Sequence, residues 1–312
     1  MTNLTNLQNP IIIGHRGFGV TGLFTAIPEN TIYSFEKALE DGADGVELDL
    51  METRDGEIVV FHDRNLLRMA GVKREIKDLT LEEIQSVIVR QRYDIGQELV
   101  KVIRSHPEMK KLSILNFLLR TKFALSDKAS PCHKAMPCRI GKIPLLSEVL
   151  DVIGEKAQVL GLELKEENKP YAPYVKKIAS IVKKAGIGKK VAFISFSVEL
   201  LNLMKKEGDW LYLGLIPLFK TKPGEIDQFI SECLKNSFSY MAIPPTILEK
   251  EVVEKIQKAG LTVATFAEDK KTLEKGRRLG INIFVTDRVD LLSQKLKIPP
   301  KFLRKFYRVN KS

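Results

Sequence analysis

The chain has 312 residues, 44% hydrophobic and 29% charged, with a formal net charge of +11. This excludes collagen, coiled coil and global disorder, and leaves one large α/β domain or two smaller ones. Residues 101–142 and 295–312 carry +8 and +7, so the remainder is net acidic, and the positive charge on these appendages predicts an anionic partner surface such as a membrane.

Met1–Pro10 has no basic segment followed by an apolar run, so no secretory signal is expected. No apolar stretch reaches the roughly 20 residues of a spanning helix. Cys132, Cys138 and Cys233 are too few for a disulfide framework, and a cytoplasmic setting is expected. Strand-type runs follow at Pro10–Gly14, Gly45–Leu50, Gln158–Lys165, Val191–Ser197, Leu211–Pro217, Tyr240–Pro244, Thr262–Ala267 and Asn282–Asp287. Helical patterns lie between them at Thr31–Glu40, Pro173–Lys184, Val198–Lys206, Glu225–Lys235, Glu249–Lys258, Lys270–Arg278 and Val289–Lys297. Asn30 is the expected N-cap of the first helix, and Gly42, Gly186, Gly260 and Gly280 occupy C′ positions. Eight near-continuous apolar strands with intervening helices predict a closed parallel TIM (β/α)8 barrel, with a doubly wound open sheet as runner-up.

A ninth run, Glu57–His62, follows Asp55-Gly56, a hairpin turn, and so predicts an antiparallel ribbon at the barrel mouth. The alternation breaks between Asn65 and Ile143. A helix is expected at Thr80–Arg90, where Thr80 and Glu83 form a capping box. Lys110–Leu125 combines an apolar face (Leu112, Leu115, Leu119, Phe123) with flanking Lys110, Lys111, Arg120 and Lys122, the pattern of an interfacial helix. The expected organisation is a barrel over 1–66 and 143–297, an insertion over 67–142 and a basic tail over 298–312. Cys132-His133 with Cys138 lacks a fourth ligand for a metal knuckle. Gly186-Ile187-Gly188-Lys189-Lys190 is no phosphate loop, because it precedes a strand.

Catalytic groups in a parallel barrel lie at the C-terminal strand ends. There the first strand runs into His15-Arg16, the second carries Glu47 and Asp49 two apart, the third carries Glu163 and Lys165 two apart, and the ribbon ends in His62-Asp63. Alternation puts each pair on one face. Three carboxylates at one mouth would repel without a cation, and oxygen ligands favour Mg²⁺ or Ca²⁺. Two histidines suit acid–base chemistry near neutral pH, and Arg16 and Lys165 supply charge for an anion. Phe266 reads as core or as a substrate wall.

His15-Arg16-Gly17, Pro28-Glu29-Asn30-Thr31, Gly42-Ala43-Asp44-Gly45-Val46-Glu47-Leu48-Asp49, Thr53-Arg54-Asp55-Gly56 and Val60-Phe61-His62-Asp63 closely resemble the glycerophosphodiester phosphodiesterase family. Ile143-Pro144-Leu145-Leu146, Glu163-Leu164-Lys165 and Val285-Thr286-Asp287 extend the resemblance from Pro10 to about Leu292. It implies a TIM barrel, His15 and His62 as the acid–base pair, Glu47, Asp49 and Glu163 as metal ligands, and Arg16 and Lys165 near the phosphate. The implied reaction is hydrolysis of a glycerophosphodiester to sn-glycerol 3-phosphate and an alcohol. The Gly17–Pro28 loop is longer than is common in the family and apolar, with Phe18, Val20, Leu23, Phe24 and Ile27. Phe266 stands where many members have Trp. Two alternatives are carried, and the apolar loop and the basic insertion point to the first. One is lysophospholipase D-type activity at a membrane; the other is a phosphate-binding barrel without turnover. No nucleic-acid module is recognisable.

Overall fold

The structure, a computed structural model, describes residues 10–19, 27–89, 141–217 and 220–293. The segment Lys110–Leu125, the Cys132, His133 and Cys138 group, the tail from Lys295, and Val20, Leu23 and Phe24 lie outside them. Nine strands are present among the described residues: β1 (Ile11–Gly14), β2 (Gly45–Glu52), β3 (Ile58–Val60), β4 (Val159–Leu164), β5 (Val191–Ser195), β6 (Tyr212–Leu215), β7 (Tyr240–Ile243), β8 (Thr262–Phe266) and β9 (Ile283–Thr286). All except β3 pair in parallel, in the order β1-β9-β8-β7-β6-β5-β4-β2, and β1 also pairs with β2. That last ladder closes the sheet into an eight-stranded barrel and excludes the open sheet. β3 runs antiparallel to β2, with Leu50 opposite Val60, as the Asp55-Gly56 turn predicts.

Side-chain alternation sorts each stave into two faces. Val46, Leu48, Leu50, Leu160, Leu162 and Leu164 point outward and pack with Phe35, Leu150 and Ile178 of the covering helices. Each such leucine, fully buried, contributes about 1.5–3 kcal/mol. Ile11, Ile13, Val159, Ile194, Tyr240 and Ile283 fill the barrel interior. Inward positions near the C-terminal ends carry the polar groups instead, and this parity is what aims Glu47, Asp49 and Glu163 at the mouth.

Several helix assignments change. The expected Val289–Lys297 helix ends at Leu292, with Ser293 extended. A helix at Leu146–Ile153 connects the ribbon to β4, where the sequence shows no capping signal. Its first flanking residue, Leu145, has no side-chain acceptor; instead Glu148 reaches back to accept the Leu145 N–H at 2.9 Å. The expected Thr80–Arg90 helix is only Leu81–Gln85, although its capping box forms. Ser86 Oγ donates to the Glu83 carbonyl at 2.6 Å, the local competition that ends short helices.

Residues 66–89 form a second small core. Leu66, Met69, Ile76, Leu79 and Ile84 pack on Met51, Val59 and Phe61 of the hairpin. An antiparallel bridge then joins Val89 to Gly141, with N–H···O distances of 3.0 and 3.3 Å. Among the described residues no helix is long and apolar enough to cross a membrane.

Candidate active site

β1 delivers His15 and Arg16. The His15 N–H donates to the Thr286 carbonyl at 2.9 Å, continuing the β1–β9 ladder by one residue. Arg16 then turns into the left-handed region (φ 49°) and Gly17 follows at φ 91°. The Arg16 backbone N–H thereby points inward and donates to Glu47 Oε2 at 3.1 Å. An ideal Cβ on Gly17 would lie 2.5 Å from Ser34 Oγ. Gly17→Ala is therefore expected to destabilise the fold by about 1–3 kcal/mol and to depress turnover, checked by denaturant melts and kinetics. Wild-type stability and rate would show that this turn does not hold the site.

Asn30 departs from expectation. Thr31 is the N-cap, its hydroxyl accepting from the Ser34 N–H at 3.2 Å. Asn30 itself adopts φ 55° and its Nδ2 donates to Asp49 Oδ2 at 2.7 Å. Asparagine tolerates the left-handed conformation better than most residues, and here that frees its amide for the acid.

The carboxylates converge. In the β2–β4 register Asp49 lies opposite Glu163, while Glu47, deeper in the barrel, lies opposite Gly161. Glu47, Asp49 and Glu163 each offer a ligand oxygen, all within 4.8 Å of one another. Glu47 Oε1 is buried with no hydrogen-bond partner. Burial, then the neighbouring Asp49, pushes the Glu47 carboxyl up to about 8. Burial would also raise Asp49, but Lys165 and Arg16 outweigh it and hold that carboxyl well below the usual range. Three buried acids with an orphaned oxygen form a donor set that could hold a hard divalent cation. Lys165 Nζ spans Asp49 Oδ1 (2.7 Å) and Glu163 Oε1 (2.6 Å). Arg16 pairs with Glu29 Oε1 (2.9 Å) and approaches Asp49 Oδ2 (3.4 Å). Both expected phosphate-binding cations are thus turned onto carboxylates.

Each histidine is oriented by an aspartate. His15 Nδ1 donates to Asp287 Oδ1 at 2.8 Å and His62 Nδ1 donates to Asp63 Oδ1 at 2.7 Å. With Nδ1–H engaged, each Nε2 is the free ring nitrogen; His15 Nε2 lies 3.9 Å from Glu47 Oε2. Burial lowers the His15 pKa, but the Asp287 hydrogen bond and the Glu47 charge raise it more, so it ends above its ordinary value. Protonated His15 is thus favoured in the folded protein. That contribution is complete below the ordinary value near 6.5 and is lost as pH rises through the higher folded value. For Asp63 burial is outweighed by His62 and Arg68, which hold its carboxyl below the usual range. The His62–Asp63 link therefore survives until pH falls through that lower value. Phe266 packs edge-on against His15, ring centroids 5.1 Å apart, so it belongs to the mouth and not to the sealed interior.

A profile of the glycerophosphoryl diester phosphodiesterase family matches residues 15–291. The chain belongs to that family. A glycerophosphodiester phosphodiesterase of Caldanaerobacter subterraneus subsp. tengcongensis is 27% identical over 279 residues, covering 89% of this chain and 93% of that protein. The glycerophosphodiester phosphodiesterase of Thermotoga maritima has the same fold, with a TM-score of 0.61 at 24% identity over 91% of this chain and 97% of that one. So does a phosphodiesterase of Oleispira antarctica in complex with the product sn-glycerol-3-phosphate, with a TM-score of 0.65 at 20% identity over 89% and 93% of the two chains.

For this phosphodiesterase family member, sequence reasoning named the histidines and acids but missed their supports: Asp63, Asp287, Glu29 and Asn30. It also missed Tyr174, whose buried hydroxyl donates to the Leu50 carbonyl at 2.8 Å and accepts from the Lys165 N–H at 3.4 Å. Tyr174 ties the ends of β2 and β4 together and fixes the backbone from which Lys165 projects.

Two depressions meet at Glu163 and Phe196. One, of about 110 Å³, reaches His15 and is walled by Ile194, Phe196, Ile216, Pro244, Phe266 and Val285. The other, of about 330 Å³, is polar and reaches His62, Asp63, Lys165 and Glu166. Phe18 and Ile27, the described ends of the long apolar loop, are buried in the core and are not offered to a lipid.

Proposed function

We propose that the protein hydrolyses glycerophosphodiesters to sn-glycerol 3-phosphate and an alcohol, using His15 and His62 as acid–base pair and a divalent ion, Mg²⁺ or Ca²⁺, at Glu47, Asp49 and Glu163. The observation that carries this reading is the pairing of two aspartate-oriented histidines with three buried carboxylates at one barrel mouth. The product named with the Oleispira antarctica structure supports the substrate class. The ion, when bound, would draw charge from the phosphoryl oxygens. Glu47 would supply the ligand oxygen that has no partner in the protein, and Arg16 and Lys165 would be redirected toward the phosphate as their carboxylates take up the ion.

His62 takes the proton of the attacking hydroxyl: water gives glycerol 3-phosphate directly, whereas the substrate's own glycerol hydroxyl gives a cyclic phosphate that a water must then open. His15 gives a proton to the departing alkoxide as the P–O bond to the alcohol breaks. Its raised pKa favours that role. The Asp287 hydrogen bond contributes more to the rise than the Glu47 charge does, so the shift does not rest on Glu47 alone. Phe266 walls the alcohol side.

The apolar depression beside His15 favours a second reading, lysophospholipase D-type hydrolysis, because apart from His15, Glu47 and Glu163 its described walls are uncharged and mostly aliphatic or aromatic. Purified protein with glycerophosphocholine, glycerophosphoethanolamine and lysophosphatidylcholine, with and without chelator, tests both readings. Metal-dependent release of glycerol 3-phosphate is the expected result. Turnover of the lysolipid alone would establish the second reading, and no turnover of any diester would refute the first.

A further inference from the structure

Arg68 lies outside every motif that marks the site. It sits on the short helix Leu67–Ala70 that follows the His62 loop. Its guanidinium reaches two carboxylates. Nε donates to Asp63 Oδ2 at 2.6 Å and Nη2 to Asp63 Oδ1 at 2.9 Å. Nη1 donates to Glu29 Oε2 at 3.1 Å, and Nη2 also donates to Glu29 Oε1. Each carboxylate has a second task. Asp63 Oδ1 accepts from His62 Nδ1, and Glu29 Oε1 accepts from Arg16 Nη1 at 2.9 Å. A chain of alternating charge, His62–Asp63–Arg68–Glu29–Arg16, therefore crosses the mouth from the ribbon to the end of β1.

We propose that Arg68 is a positioning residue that sets His62 and Arg16 relative to each other through Asp63 and Glu29. The proposal rests on the reading of His62 as an acid–base group. A planar guanidinium with two bonds to one carboxylate fixes both the distance and the plane of that carboxylate, which a lysine cannot do. An aspartate held in this way presents one defined oxygen to His62 Nδ1. Released, it can rotate about its terminal torsion, and the ring loses the bond that selects its tautomer. Glu29 is buried between two guanidinium groups, so removing one leaves Arg16 as its sole partner. The alternative is plain stabilisation of the fold. The Arg68 side chain is 41% exposed but its Glu29 partner only 2%, so losing Arg68 also costs folding stability. The His62 tautomer, which a purely stabilising role would not move, separates the two roles.

The test uses full-length protein with a saturating divalent ion. Arg68→Met, Arg68→Lys, Asp63→Asn and the double variant Arg68→Met/Asp63→Asn are compared in kcat, KM and Tm. The His62 tautomer is read by ¹⁵N NMR of the ring. Arg68→Met is expected to lower kcat roughly 10–100-fold, since a misplacement of about 1 Å can cost about 10²-fold, with KM moving far less, while Tm falls because the buried Glu29 loses a partner. Arg68→Lys should recover only part of the rate. The double variant should be less impaired than the two single deficits combined, because the Asp63 arm is common to both, while the Glu29–Arg16 arm is lost only with Arg68. The His62 ring should change from a fixed Nδ1–H form to a mixture in Arg68→Met. Wild-type kcat in Arg68→Met would overturn the proposal, as would deficits that add in the double variant or an unchanged His62 tautomer. If Arg68→Met does not fold, the rate and tautomer of Arg68→Lys decide. If His62→Ala itself retains turnover, the reading of the site fails instead, and the tautomer measurement still decides whether Arg68 positions the ring.

Discussion

Mg²⁺ or Ca²⁺ added to metal-free protein should raise its Tm, and Glu47→Gln should remove that rise. The expectation follows from charge and burial. Asp49 already has Lys165 and Arg16 beside it, whereas Glu47 has a buried oxygen with no partner. In the metal-free state burial and Asp49 push Glu47 upward, so it holds a proton more readily than an ordinary glutamate. An entering cation displaces that proton, so binding releases acid and tightens as pH rises toward the Glu47 value. A ligand at 100 times its Kd stabilises the native state by about 2.7 kcal/mol, which for a domain of this size is several degrees of Tm. Glutamine mimics the protonated glutamate, so the variant should fold as the metal-free wild type does. It cannot become an anion, and the cation-induced rise and the turnover should both vanish. Thermal melts with each cation, with chelator as control, measure this directly and rank the two ions. An unmoved wild-type Tm, or an equal rise in Glu47→Gln, would show that the acids do not hold a metal.

The second large effect is kinetic. His15→Ala and His62→Ala should each lower kcat on glycerophosphocholine by about 10²–10⁴-fold, the range of general acid–base catalysis. Both rings lie at the rim, with side chains 22% and 33% exposed, so little folding energy should be lost. The two losses differ in kind. A p-nitrophenyl ester of glycerol phosphate has a leaving group that departs without a proton. If His15 is the acid, the His15→Ala deficit shrinks on that substrate while the His62→Ala deficit persists. Wild-type kcat in either variant would remove that residue from the mechanism, and equal deficits on both substrates would remove the acid role from His15.

The barrel was readable because its staves obey a parity that survives in one dimension. In β2 the apolar Val46, Leu48 and Leu50 alternate with Gly45, Glu47 and Asp49, so a strand and its polar face can be read together. The Leu146–Ile153 helix was not readable, since its start carries no Ser, Thr, Asp or Asn cap. Asn30 illustrates a different failure. Its residue type suits both an N-cap and a left-handed turn, and only the position of Asp49, 19 residues away, decides between them. The same holds for the orienting acids. Asp63 adjoins His62 and reads as a solvated neighbour until its hydrogen bond is seen. Asp287 is 272 residues from His15, and the β1–β9 pairing is what makes them adjacent. The expected metal ligands meet because β2 and β4 are neighbours in the sheet, although the ribbon and residues 65–143 separate them in sequence.

The bridge between Val89 and Gly141 has an evolutionary corollary. Val89 and Gly141 are held opposite each other at the edge of the second small core, so the ends of the intervening segment meet whatever its length. In general, closure entropy grows slowly with length, each doubling adding only about 0.6 kcal/mol. The strands that carry Glu47, Asp49 and Glu163 take no part in that closure. Selection could therefore change the number of residues between Val89 and Gly141 while the β2–β4 ladder that brings the acids together kept its register.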